Sequence, residues 1–104
     1  MANELILSQK EIENRIFTIR GVQAMLDTDL AISYNVDTRV LNQAVKRNIE
    51  RFPDDFMFQL TEDEWKNLKS QIVMSSEHGG RRTRPYAFTE QGVSGLSGVL
   101  KSGW

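Results

Sequence analysis

An α+β domain is what this sequence predicts, and three observations predict it. A run of β-branched and apolar residues is broken by "RG" at 20 and 21, two amphipathic helical patterns meet at "NV" (35 and 36), and a polar basic stretch leads into "PYAFT". The 104 residues with 39% apolar content suit a single domain, 1–104, with one modest core. No internal repeat or low-complexity linker divides the chain.

"RIFTIRGVQAML" (15–26) reads as two short strands, with Gly21 suited to the tight turn between them. Asp27 or Thr28 is then placed to cap a helix beginning around Asp29, because a side-chain oxygen there satisfies free amides of the first turn. Ala31 is the small residue that two steeply crossing helices need, and Leu30 and Tyr34 are its apolar neighbours. Asn35 tolerates the positive φ that the turn requires, and Val36 plugs that turn. Asp37 or Thr38 caps the second helix. Val40, Leu41, Ala44, Val45, Ile49 and Phe52 form its buried stripe, so the pair has the pattern of a helix-turn-helix.

Pro53 cannot continue that helix, and "FMFQL" has the content of a buried strand. In "TEDEWKNLKSQI", Thr61 and Glu64 have the capping-box spacing, and Trp65, Leu68 and Ile72 share a helical face. "SSEHGGRRTRP" (75–85) is a loop, and "PYAFT" is a short strand returning from it. Thr89 with "EQG" opens a last helix, weakened by Gly92, Gly95 and Gly98 at about 1 kcal/mol each.

Composition excludes several functions. Without cysteine there is neither a disulfide framework nor a thiolate metal site, and the one histidine, His78, rules out any site needing two imidazoles. No apolar run approaches a membrane span and "MANELILSQKEIENR" lacks the apolar core of a signal peptide, so a cytoplasmic, metal-free protein without membrane contact is expected.

Charge is distributed unevenly. Residues 1–36 hold three bases and five acids (-2), 37–51 four bases and two acids (+2), 52–64 five acids (-5), and 65–104 six bases and two acids (+4), which sum to the net -1. Two basic islands flank an acidic one. A fold that groups the islands can offer phosphates a positive surface despite the overall balance. The polar face of the second helix, Thr38, Arg39, Asn42, Gln43, Lys46 and Arg47, has the residue types that read base edges. Arginine pairs with guanine and asparagine or glutamine with adenine, while Lys46 and Arg47 suit phosphates. The competing explanation is an ordinary solvated helix face. Arg81, Arg82 and Arg84 in "RRTRP" make a second candidate contact, a basic wing between strands, which gives the domain a winged-helix-like plan. Arg20, at the hairpin turn, is a weaker candidate of the same kind.

An enzyme is not expected. Asp54, Asp55, Glu62, Asp63 and Glu64 could hold a divalent metal in principle, but they have local explanations as a turn and a capped first helical turn. Ser75, Ser76 and His78 lie in a glycine-flanked loop that holds no base against a nucleophile. No catalytic residue, cofactor, metal or small-molecule substrate is predicted.

"IRGVQAMLDTDLAISYNVDTRVLNQAVKRNIERFPDDFMFQLTEDEW" together with "GGRRTRPYAFTEQGV" resembles the phage and bacterial ORF-six N-terminal domain family, related to the KilA-N and Bro-N domains. The match spans about residues 15 to 100, and "AVKRNIERFPDDFMFQLT" with "PYAFTEQGV" is highly specific. The resemblance implies a phage or prophage regulatory protein, or its N-terminal domain, that binds double-stranded DNA through "NVDTRVLNQAVKRN" and "RRTRP". The alternative is a protein-interaction module of an antirepressor-like regulator. Pairing of two copies is the common arrangement among such readers. The chain departs from the family in having Asn35 where glycine is usual, and Ile32 and Ser33 where an acidic or apolar pair is usual. Its end, "SGLSGVLKSGW", is looser than the family's long apolar helix, so the C-terminus is expected to be truncated relative to the family. Its last dozen residues are expected to be poorly ordered, with Leu96, Val99 and Leu100 lacking cover.

Overall fold

β-branched residues on either side of "RG" form the expected hairpin. β1 (Ile16–Ile19) pairs antiparallel with β2 (Val22–Leu26), placing Ile16 opposite Met25 and Ile19 opposite Val22. Arg20 and Gly21 both have positive φ, 57° and 78°. That combination marks the type I′ turn, whose twist matches that of the flanking strands. The computed structural model from which this geometry comes describes residues 13–71 and 83–102.

Helix α1 (Asp27–Tyr34) begins two residues before the expected start. Leu26 occupies the cap position and makes no side-chain cap bond, so neither Asp27 nor Thr28 is the N-cap. Asp27 reaches a first-turn amide from inside the helix instead, its Oδ1 accepting from the Thr28 N–H at 2.7 Å. At the other end Asn35 is left-handed (φ 58°, ψ 47°). The Val36 N–H donates to the Ala31 carbonyl at 2.9 Å and the Asn35 N–H to that of Ile32 at 3.1 Å. This is a Schellman arrangement, in which one left-handed residue lets two orphan carbonyls be satisfied.

Helix α2 (Thr38–Arg47) follows after three residues. Asp37 stands at its N-cap as expected, but its side chain makes no cap bond. Leu41, Val45 and Phe52 are buried, while Val40 and Ala44 are half-buried. Ile49 is the exception: it is 54% exposed. The helix ends at Arg47 and a 3-10 turn (Ile49–Arg51) changes the period from 3.6 to 3, which rotates Ile49 off the buried stripe. Pro53 then closes a tight turn, its carbonyl accepting from the N–H groups of Phe56 and Met57.

β3 (Met57–Gln59), helix α3 (Glu62–Gln71), β4 (Tyr86–Thr89) and helix α4 (Glu90–Ser102) complete the described fold. The strands form one antiparallel sheet in the order β1-β2-β4-β3, so the last strand is inserted between the second and third. Alternation along the strands gives it two faces. Met25, Met57 and Phe88 pack with Leu30, Ala31, Leu41, Val45, Leu96, Val99 and Leu100, which puts α1, α2 and α4 on one side. Ala24, Leu26 and Ala87 pack with Trp65 and Leu68, which puts α3 on the other. Ile72 lies outside the described residues.

The expectation that Leu96, Val99 and Leu100 lack cover is overturned, while Gly103 and Trp104 lie outside the described residues. Leu96, Val99 and Leu100 are all buried in the main core. Gly92 has a packing reason for its lack of a side chain, since a Cβ there would lie 2.0 Å from the Phe56 carbonyl oxygen, whereas a Cβ on Gly95 would meet the Phe52 ring at 3.4 Å, an ordinary contact distance.

The capping box forms as its spacing requires, Glu64 N–H donating to Thr61 Oγ1 at 3.1 Å and Thr61 N–H to Glu64 Oε1 at 2.8 Å. Glu64 also takes the fork of Arg20, at 2.7 and 3.1 Å, and that guanidinium lies 4.1 Å from the centre of the Phe58 ring. Arg20 is therefore a strap between the hairpin tip and α3, which corrects its reading as a weak external contact. Its hydrogen bonds hold the Glu64 carboxyl at about 2, against an ordinary value of 4.5 and against the opposing effect of burial. A carboxyl lowered on folding stabilises fully above its unfolded value and loses that effect as pH falls through its folded value. Arg20→Ala should thus cost about 1 kcal/mol at pH 7, the scale of a partly solvent-screened pair. Thermal unfolding at several pH values should show that penalty shrinking between pH 4.5 and 2; a constant penalty would mean that the ion pair contributes nothing.

Candidate nucleic-acid interface

The stripe that buries Leu41 and Val45 turns the opposite face of α2 outward. Arg39, Gln43, Lys46 and Arg47 are exposed, and Thr38 and Asn42 are half-buried. A groove of about 700 Å3 runs between this face and the start of β4, lined by Thr38, Arg39, Asn42, Gln43 and Lys46 on the helix and by Thr83 and Tyr86 across from it. Met57 and the exposed Ile49 supply its apolar part. Thr83 and Tyr86 thus face the helix that carries the first basic island.

The cations differ in what they do. Arg15 is bonded to the buried Asp29 carboxylate at 2.7 Å, and Arg20 to Glu64. Arg84 donates to the Leu60 carbonyl at 3.2 Å while its own carbonyl accepts from Gln59, so it is engaged at the end of the sheet. Arg39, Lys46 and Arg47 form no ion pair with any described residue. Arg81 and Arg82 lie outside the described residues, as do Ser75, Ser76 and His78. The wing itself therefore has no described geometry.

Asn42 has a structural duty that its place on the helix did not reveal. Its Nδ2 donates to Asp27 Oδ2 at 3.0 Å, and the same oxygen accepts from the Tyr86 N–H at 3.4 Å. Asp27 thereby joins α1, α2 and β4 at one point. In "LDTDLA" it reads as a helix cap, and nothing in the spacing announces a partner fifteen residues on. The acidic residues Glu62, Asp63 and Glu64 open α3, which packs on the other face of the sheet from α2. They do not face the groove. Among the described residues no group of three or more His, Cys, Asp or Glu is placed to hold a metal ion, and no helix is long and apolar enough to cross a membrane.

No curated protein and no solved structure matches the chain. The ORF6N domain model matches residues 14–99, most of the chain's length, including α1, α2, the whole sheet and the groove between α2 and β4. Hairpin, helix pair and inserted strand are accordingly the body of one family unit, and the chain belongs to the phage-associated ORF6N domain family.

Proposed function

We propose that this domain binds double-stranded DNA through the outer face of α2, as a phage or prophage regulatory protein or its N-terminal part, and that it is a binder without catalysis. The observation that carries the reading is the set of uncommitted cations on one helix face. Arg39, Lys46 and Arg47 are exposed and form no ion pair with any described residue, while Arg15, Arg20 and Arg84 serve the fold. Arg39 and Gln43 suit base edges in the major groove, and Lys46 and Arg47 suit phosphates. Thr38 and Asn42 line the same groove. Arg81 and Arg82 stand next in sequence to Thr83 at its opposite wall, where a basic segment can follow the DNA backbone. Two paired copies on one duplex would add the binding free energies of two half-sites, raising many-fold an affinity that one half-site keeps low.

Titration of duplex DNA at a series of salt concentrations tests this directly. Neutralising five or six phosphates gives a log-log slope of roughly -4.5 to -5.5. Lys46→Ala should weaken all sequences alike and make the slope shallower by about 1, whereas Arg39→Ala should change sequence preference. The rival reading is a protein partner at the same groove, whose lining includes the exposed Ile49. No binding at low salt, or indifference to both substitutions, would select that rival.

A further inference from the structure

Asn42 lines the groove and is half-buried, and its amide has two edges of opposite sense, a donating Nδ2 and an accepting Oδ1. Which edge faces a ligand is decided by Asp27, which is 0% exposed. Asp27 Oδ2 receives the Tyr86 N–H and Oδ1 receives the Thr28 N–H. A main-chain N–H can only donate, so both carboxylate oxygens are held as acceptors, and the carboxylate can take from Asn42 only a donor. The 3.0 Å bond from Nδ2 follows, and with it the orientation of the whole amide. No described residue donates to Asn42 Oδ1, which is thereby left for a partner.

We propose that Asp27 is a positioning residue that sets Asn42 as a hydrogen-bond acceptor on the DNA-contact face. Asn42 then selects, at the one position it reaches, a base carrying an exocyclic amine in the major groove, adenine N6 or cytosine N4. This rests on the DNA-binding reading above. Guanine and thymine offer an oxygen in the corresponding place, and an accepting carbonyl set against it gains nothing. A purely structural role for Asp27 would alter stability and leave the choice of base unchanged, and that difference makes the proposal testable.

The experiment selects bound sites from a random duplex pool with the wild-type chain, Asn42→Ala, Asp27→Asn, and the exchange Asp27→Asn with Asn42→Asp, each first checked for folding by thermal unfolding. Asn42→Ala should lose roughly tenfold discrimination at one base position and keep it elsewhere, and the base lost there reports whether adenine or cytosine is read. Asp27→Asn keeps its oxygen on the short Thr28 N–H bond of 2.7 Å and gives up the long Tyr86 N–H bond of 3.4 Å. This puts an amide nitrogen where Oδ2 accepted, so the Asn42 amide turns over, presents Nδ2, and the preference at that position passes to guanine or thymine. The exchange reverses the 27–42 bond, with an amide at 27 donating to a carboxylate at 42, so position 42 again offers the duplex an acceptor and the amine preference should return, with cytosine favoured by the carboxylate. If Asp27→Asn alone does not fold, Asn42→Ala and the exchange decide. An unaltered site for Asn42→Ala, or for a folded Asp27→Asn, overturns the positioning role while DNA binding stands. Failure of the wild-type chain to bind any duplex at low salt removes both.

Discussion

Gly92→Ala should destabilise the domain by about 3 kcal/mol, the upper part of the range for forcing extra volume into a packed site. The added Cβ would fall 2.0 Å from the Phe56 carbonyl oxygen and 2.9 Å from its carbon, and both are main-chain atoms that cannot rotate away. That carbonyl accepts from the Thr89 N–H at 3.0 Å and from the Thr89 hydroxyl at 3.3 Å, so moving it disturbs the junction of β4 and α4 as well as the turn after Pro53. Alanine's helix propensity returns only about 1 kcal/mol. Gly98→Ala supplies the control in the same helix, since a Cβ there meets nothing within 4 Å. It should stabilise by up to about 1 kcal/mol. Urea unfolding of both variants reads the difference, and a neutral Gly92→Ala would show that α4 can shift without cost.

Phe88→Ala should be worse, at about 4 kcal/mol. Phe88 is fully buried in the inserted strand, flanked in register by Met25 on one side and Met57 on the other, and it meets the Phe52 ring edge to face at 6.1 Å. Truncation removes the contact that ties the end of the α2 segment to the sheet, and an aromatic pair of this kind adds about 1 kcal/mol to simple burial. A domain of ordinary stability has roughly 5–15 kcal/mol in total, so much of the folded margin goes with one side chain. Urea unfolding with an unchanged m-value is the expected signature; Phe88→Leu, which keeps most of the volume, should lose less than half as much.

Local chemistry made much of this fold legible. The hairpin, the left-handed Asn35, the Thr61–Glu64 capping box and the strand after Pro85 each depend on residues a few positions apart, and each stands where the sequence places it. The failures share a cause. Ile49 was assigned by extending the helical period through a point where the helix had ended. Gly92 reads as a weakness in α4 because its reason, the Phe56 carbonyl, lies in a turn far earlier in the chain. Arg20 and Asp27 belong to the same class: their partners Glu64 and Asn42 are fixed by how elements cross, which no short window contains. In the candidate site, the outward face of α2 was legible, and the bond that ties Asn42 to Asp27 was not.

The strand order has a consequence for synthesis. β4 lies between β2 and β3, so a chain emerging from the ribosome carries a finished hairpin and a third strand that have no partner for each other until residues 86–89 appear. Leu96, Val99 and Leu100, which fill the core on the helical side, arrive later still. The nascent domain must therefore wait with apolar strand edges open, a state prone to misassociation, and then close its sheet and core together in one late step.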